Sequence, residues 1–91
     1  MTDVCLLAHI QGQVQGVGFR YHTRNQARRL GLCGWVRNLP EGSVEACICG
    51  NSEQIKAMQQ WLAHGPVHAM VTDIDYMVAD PVAAGRSFTI R

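Results

Sequence analysis

The 91-residue sequence has little charge and no long apolar segment. Only 16% of its residues are charged, and eight basic residues balance seven acidic ones to a net charge of +1. Proteins that bind DNA or RNA backbones usually carry a strongly basic surface, so this balance predicts no nucleic-acid partner. No apolar run approaches the roughly 18 residues that a membrane-spanning helix needs, so no membrane partner is expected either.

The N-terminus lacks the basic region that precedes the apolar core of a secretory signal. We therefore expect a cytoplasmic protein. A chain this short buries only somewhat over ~60% of its unfolded surface, which supports one thin core. The length predicts a single domain over residues 1–91, and a monomer is the default expectation.

The cysteines lack the CxxC spacing that is typical of zinc sites. No metal site is therefore predicted, and the simplest interpretation is four small, half-buried thiols. Their positions are Cys5, Cys33, Cys47 and Cys49.

The most informative stretch is the segment of residues 12–20, which places three glycines within seven residues ahead of Arg20. Glycines let the backbone turn so that several N–H groups point into one small space. The start of a helix adds a partial positive charge, and the guanidinium adds a full charge with a planar fork of donors. The segment predicts an oxyanion cradle whose anchor is Arg20.

The spacing of apolar residues and turn signals predicts the order β-α-β-β-α-β followed by a short final strand. This order predicts an α+β, ferredoxin-like split βαβ sandwich with both helices on one face of an antiparallel sheet. A slip in the alternation between Val71 and Ile74 predicts a bulge, and residues 80–85 are expected to form a surface loop. The predicted strands cover residues 4–10, 32–38, 43–49, 69–78 and about 88–90, and the helices cover residues 20–30 and 52–64.

Two motifs resemble those of the acylphosphatase family. They are Gly12-x-Val-Gln-Gly-Val-Gly-Phe-Arg20 and Gly34-Trp-Val-Arg-Asn38-x-x-x-Gly42-x-Val44-x-x-x-x-x-Gly50. With Gly31-Leu32 and the terminal Phe88-Thr-Ile-Arg91, the resemblance covers essentially the whole chain. Pro40-Glu41 departs from the acidic residue followed by glycine that the family more often carries, which affects only the expected turn geometry.

The resemblance implies hydrolysis of a carboxyl-phosphate anhydride to a carboxylate and inorganic phosphate, without metal or organic cofactor. The implied partners are a small-molecule acyl phosphate and inorganic phosphate, the latter as product and inhibitor. By the same resemblance, Arg20 binds the phosphoryl oxygens and Asn38 positions the attacking water. The implied backbone donors of the cradle are the amides of Gly16, Val17, Gly18 and Phe19.

The chemistry of these residue types agrees with that function. An acyl phosphate has a good leaving group, so the protein mainly has to neutralise and orient a dianion. The amide of Asn38 can accept a hydrogen bond from water but cannot abstract its proton. Because the sequence suggests no nucleophile or base, we expect the substrate phosphate to receive that proton.

The predicted topology places the first strand beside the third. If Cys5 lies opposite Cys49, then His9 lies opposite Glu45, and the segment of residues 12–20 approaches Asn38. The same register places Cys5 and Cys49 at a separation that a disulfide can span. The geometry thus permits a disulfide, whereas a reducing cytosol disfavours it. Both the bonded and the reduced states are kept as alternatives.

Plainer interpretations remain for each feature. Arg20 could be an ordinary helix-start arginine, and Asn38 a turn residue. An RNA-recognition module shares the predicted topology, but it would need paired aromatic residues and a basic sheet face. A carbamoyl-phosphate-handling or regulatory domain of the same family is a further alternative, although such domains usually belong to longer chains. No catalytic role is assigned to His9, His22, His64 or His68.

Overall fold

The chain alternates strands and helices in the predicted order. The computed structural model describes residues 3–91, with side chains throughout except at positions 82 and 83. The elements are β1 (Val4–Gln13), α1 (Phe19–Arg29), β2 (Cys33–Asn38), β3 (Val44–Gly50), α2 (Ser52–His64), β4 (Met70–Val78), a 3₁₀ turn (Pro81–Ala84) and β5 (Phe88–Ile90).

The five strands form one sheet in the order β4-β1-β3-β2-β5. Both crossovers of the split βαβ topology are present, as predicted. The sheet is mixed rather than wholly antiparallel, because β5 pairs with β2 in parallel, with Gly34 opposite Phe88. The chain leaves β4 at one edge, crosses to the other edge and reverses its direction, so β5 arrives running the same way as β2.

The register assumed from the sequence between β1 and β3 is the one that the structure shows. Cys5 lies opposite Cys49, His9 opposite Glu45 and Ile10 opposite Val44. The predicted bulge in β4 is also confirmed, since Gln11 pairs with Asp73 while the next residue, Gly12, pairs with Val71. A Cβ at Gly12 would stand 2.0 Å from the Met70 carbonyl oxygen, so only glycine permits this close approach of β1 and β4.

Both helices pack against one face of the sheet through apolar stripes at helical spacing. The fully or almost fully buried members are Phe19, Thr23 and Ala27 on α1 and Ile55, Met58 and Leu62 on α2. Gly31 closes α1 in a Schellman motif, in which Leu32 N–H donates to the Ala27 carbonyl at 2.9 Å. Asn51 and Gln54 form a reciprocal capping box at the start of α2.

The opposite face of the sheet carries a second, smaller apolar cluster of Cys5, Trp35, Cys47 and Cys49. Residues 80–85, which the sequence predicted to be a surface loop, contribute the 3₁₀ turn that covers this cluster. Ala84 is 3% exposed and packs against it. The segment packs on the sheet rather than extending into solvent because it covers the apolar side chains of this face and so removes apolar surface from water.

No helix within the described residues is long and apolar enough to cross a membrane.

Candidate active site

The glycine loop, residues 14–18, connects β1 to α1. Gly16 and Gly18 turn it with φ angles of 74° and 76°, in the left-handed region that side-chain-bearing residues avoid. The loop is fastened at both ends, because Val14 and Phe19 are each 1% exposed and belong to the main core. Its backbone is thus held in place by packing on either side of the two glycines.

The start of α1 has unused hydrogen-bond donors. Gly18 is its N-cap and supplies no side-chain cap, and the first turn contains no acidic residue. Within residues 3–91, no hydrogen bond uses the N–H groups of residues 16–19. A helix start with free donors and no acidic neighbour carries a partial positive charge that favours an anion.

Arg20 lies in the first turn of α1, beside those donors. Its side chain is exposed, and it makes no ion pair or hydrogen bond with any part of the chain that the structure describes. The other three arginines of the helix have partners. The Arg24 guanidinium lies 5.1 Å from the centre of the Tyr21 ring, Arg28 Nε donates to the Phe88 carbonyl at 3.1 Å, and Arg29 donates to the Gln26 side chain at 3.3 Å. Arg20 is therefore available to a ligand.

Asn38 is the last residue of β2, opposite Val44 of β3. Its Oδ1 atom is buried and has no hydrogen-bond partner in the described chain. A buried acceptor without a partner is uncommon and costs about 1–3 kcal/mol. The atom is thus placed to accept a hydrogen bond from a bound molecule.

These groups meet in one cavity of about 230 Å³, which we call the arginine cavity. Its lining brings together Arg20, Asn38 and three of the four residues predicted to supply backbone donors. The fourth, Val17, is not part of the lining, and its side chain packs against the main core. The full lining is Val14, Gly16, Gly18, Phe19, Arg20, Tyr21, Asn38 and Ile90.

The sequence did not identify Tyr21 and Ile90 as part of this site. Tyr21 is 54% exposed, and its ring makes a T-shaped contact with His22 and also contacts Arg24. Its position next to Arg20 was an available signal. Ile90 carried none, because it reaches the cavity only through the parallel pairing of β5 with β2.

A second hollow of about 350 Å³, the histidine cavity, lies on the other side of the β2–β3 hairpin. Its lining residues are His9, Gln11, Gly12, Glu41, Gly42 and Ser43. His9 Nε2 lies 2.8 Å from Ser43 Oγ and 3.4 Å from Glu41 Oε1, and the Ser43 hydroxyl donates to Glu41. These side chains bond to one another, a grouping that the scattered histidines of the sequence did not reveal.

The hydrogen bond from Ser43 holds the pKa of the Glu41 carboxyl below its ordinary value of 4.5, and a backbone hydrogen bond and His9 act in the same direction. The carboxylate therefore stays charged at neutral pH. A negative charge in the lining makes the histidine cavity unsuited to a phosphate group.

The four cysteines all lie near the second apolar cluster. The Cα atoms of Cys5 and Cys49 are 4.1 Å apart and their sulfur atoms are in contact. Cys33 lies opposite Cys49 on the other side of β3. Cys33 and Cys47 are free, and burial raises the pKa of the Cys47 thiol. In the described part of the chain, no three His, Cys, Asp or Glu residues are arranged to hold a metal ion.

Comparison with known proteins identifies the family. The acylphosphatase family model matches residues 7–90. The chain is 48% identical to the acylphosphatase of Pseudomonas paraeruginosa, covering 100% of this chain and 99% of that one, and 48% identical to that of Aeromonas salmonicida, covering 93% and 94%. The solved acylphosphatase of Coxiella burnetii superposes with a TM-score of 0.91 at 36% identity, over 98% of this chain and 93% of that one. The chain belongs to the acylphosphatase family.

Proposed function

We propose that this protein hydrolyses acyl phosphates to a carboxylate and inorganic phosphate, that Arg20 binds the phosphoryl group, and that Asn38 positions the attacking water. One observation carries the assignment of roles. The free guanidinium of Arg20 and the unpaired Oδ1 atom of Asn38 line the same cavity at the start of α1.

Phosphate binding follows from the donors on one wall of the arginine cavity. The guanidinium offers a planar fork that suits two phosphoryl oxygens, and the free N–H groups of Gly16, Gly18 and Phe19 suit the others. The backbone donors need no rearrangement, because Val14 and Phe19 hold the loop by their burial. Donors that are fixed before the reaction stabilise developing negative charge more effectively than mobile water does.

Hydrolysis requires a water molecule in line with the bond from phosphorus to the acyl oxygen. The Oδ1 atom of Asn38 accepts one hydrogen bond from this water. This bond orients the water so that a lone pair of the water oxygen points toward phosphorus. As the water oxygen bonds to phosphorus, the bond to the acyl oxygen breaks and the carboxylate leaves with its electron pair. The water proton passes to a phosphoryl oxygen, so no side chain has to accept it.

The test is hydrolysis of acetyl phosphate and benzoyl phosphate in the presence of a chelator. We propose that the reaction needs no metal, so wild-type activity should survive chelation. Inorganic phosphate should inhibit competitively, because the donors that bind the substrate also fit the product. Activity abolished by the chelator and restored by added metal would refute the metal-free mechanism.

Two variants test the residue assignment. Arg20→Ala and Asn38→Ala should each lower kcat/KM by at least ~100-fold, the effect of removing one preorganised charge-stabilising group. Arg29→Ala is the matched control, because Arg29 lies at the far end of the same helix and its only hydrogen bond within the described residues goes to Gln26 Oε1 at 3.3 Å. Near-wild-type activity in folded Arg20→Ala protein would overturn the assignment.

We also propose that residues 1–91 act as one monomeric domain in the cytoplasm. The near-neutral net charge of +1 and the 47% share of hydrophobic residues are ordinary for a soluble globular protein, which supports this location. Light scattering during size-exclusion chromatography tests the monomer, and a mass of twice 10.1 kDa would contradict it.

A disulfide between Cys5 and Cys49 is a further proposal, supported by the contact of their sulfur atoms and by their pairing across β1 and β3. A loop closed over a separation of 44 residues would stabilise the fold by about 4 kcal/mol in the chain-entropy account. Alkylation without reductant should modify Cys33 and spare Cys5 and Cys49. Mass spectrometry that finds four alkylated thiols would exclude the bond.

A further inference from the structure

We propose that Gln15 is a positioning residue, whose side-chain amide fastens the β2–β3 hairpin to the glycine loop and thereby sets the place of Asn38. The inference rests on the proposed function of Asn38. Gln15 itself does not line the arginine cavity, so it acts through its neighbours.

The contacts of Gln15 span the two halves of the site. Its Nε2 atom donates to the Leu39 carbonyl and to the Ser43 carbonyl, each at 2.8 Å. A primary amide has two N–H donors, one for each of these oxygens. Gln15 belongs to the glycine loop and directly precedes Gly16, and Leu39 directly follows Asn38. One side chain therefore joins the phosphate-binding loop to the residue next to Asn38.

The two carbonyls also close the hairpin itself. Leu39 O accepts from Gly42 N–H at 3.2 Å, and Ser43 O accepts from Leu39 N–H at 2.9 Å. Each oxygen has two lone pairs and can accept from both donors. Gln15 thus holds the hairpin at both of its arms, where the turn begins and where it returns to β3.

Burial indicates which half would move without this link. The glycine loop is held independently by the core residues Val14 and Phe19. The tip of the hairpin has no core residue, since Pro40 and Glu41 are both exposed. The hydrogen bonds of Glu41 and Ser43 with His9 hold its far side, away from Asn38. Loss of the Gln15 donors should therefore shift the hairpin and Asn38 while leaving the loop in place. A misplacement of about 1 Å at a reacting group costs roughly 100-fold in rate.

The test compares Gln15→Met with Gln11→Met. Methionine keeps the length of glutamine but lacks its donors. Gln11 is the matched control because it precedes Gln15 by four residues and lines the histidine cavity instead. For acetyl phosphate, Gln15→Met should lower kcat by at least ~10-fold, while the inhibition constant of inorganic phosphate stays within about 2-fold. Gln11→Met should change neither.

Hydrogen exchange supplies a readout that does not depend on activity. In Gln15→Met, the amides of Leu39 and Gly42 should exchange faster than in the wild type, and those of β1 should not. Gln15→Asn, whose shorter side chain keeps its donors but does not reach the carbonyls, should behave as Gln15→Met does. This second variant answers the question if the methionine variant folds poorly.

The results distinguish a failure of the positioning role of Gln15 from a failure of the proposed function. Unchanged kcat in a folded Gln15 variant overturns the positioning role. A joint loss of kcat and phosphate binding also overturns it, because Gln15 would then support the loop. A wild-type protein without acyl phosphate hydrolysis refutes the proposed function and the catalytic part of this inference. Hydrogen exchange would in that case still decide whether Gln15 holds the hairpin.

Discussion

The β2–β3 hairpin borders two cavities that differ in how their polar groups are satisfied. In the arginine cavity, the guanidinium of Arg20 and the Oδ1 atom of Asn38 have no partners in the described chain. In the histidine cavity, the side chains of His9, Glu41 and Ser43 form hydrogen bonds with one another. The histidine cavity has the larger volume, about 350 Å³ compared with about 230 Å³ for the arginine cavity.

The difference separates a ligand site from a structural cluster. Groups that satisfy one another have little left to offer a ligand, whereas an unpaired buried acceptor costs about 1–3 kcal/mol until something binds it. Thr23 Oγ1, Arg24 Nε and the Tyr76 hydroxyl are also buried without hydrogen-bond partners in the described chain, but none of these three residues lines the cavity that contains Arg20. An unpaired group therefore points to a site here only in combination with a free cation and a concave surface.

Asn38→Asp should have the largest effect, because it removes the main difference between the two cavities. It gives the arginine cavity a negative charge, as the histidine cavity already has. A carboxylate keeps the acceptor and the shape of the side chain but repels the phosphoryl dianion. We expect kcat/KM for acetyl phosphate to fall by about 100- to 1000-fold. A variant that retains wild-type near-UV circular dichroism and more than a tenth of the activity would contradict the role of Asn38.

Arg20→Lys tests whether the planar fork matters or only the charge. Lysine keeps the positive charge but loses the paired donors, so we expect kcat/KM to fall by about 10- to 100-fold, measured by initial rates. The melting temperature should not decrease, since a cation in the first turn of a helix opposes the helix dipole in either form. Wild-type kinetics would show that charge alone suffices.

Ser43→Ala addresses the histidine cavity and should affect stability rather than activity. Ser43 is 6% exposed, and its hydroxyl contacts both His9 and Glu41. Its loss should lower the free energy of unfolding by about 1 kcal/mol, which corresponds to a drop in Tm of about 4–8 °C for a domain of this size. Its backbone carbonyl remains for Gln15, so kcat should stay within about 2-fold. A large loss of kcat with unchanged Tm would reverse the roles of the two cavities.

The contribution of the Glu41 carboxyl to the pH dependence of stability should be the smallest of these effects. Its pKa is lower in the folded protein than its ordinary value of 4.5, because of the hydrogen bond from Ser43 and the smaller contributions named above. The stabilisation is therefore fully present above the unfolded pKa and is lost as the pH falls through the folded pKa. In thermal melts, wild-type Tm should exceed that of Glu41→Gln at pH 7, and the two should converge at acidic pH. A constant difference would contradict this assignment.

Much of the fold could be predicted because its signals are local. The capping residues Asn51 and Gln54, the stop at Gly31 and the slip near Val71 each act through the backbone of their own neighbourhood. Those elements, in that order, leave few ways to form a sheet. The β1–β3 register was only assumed, by placing Cys5 opposite Cys49, and the structure has that register.

Features that depend on contacts between distant residues were not predictable in the same way. The parallel pairing of β5 and the cover that Ala84 provides depend on where the chain crosses after β4. The His9–Glu41–Ser43 cluster joins residues more than thirty positions apart, since His9 and Ser43 are separated by 34. No local pattern marks such a contact.

By itself, the sequence determined the order of the elements and the two segments that carry Arg20 and Asn38. It could do so because glycine turns, helix caps and apolar periodicity are local properties of the chain. Only the tertiary structure decided which polar groups are satisfied. Within residues 3–91 it left Arg20 and Asn38 Oδ1 without hydrogen-bond partners, placed His9 in hydrogen bond with Ser43 and brought Gln15 to the hairpin carbonyls. Hydrogen-bond satisfaction depends on every group within about 3 Å, and folding alone brings those groups together.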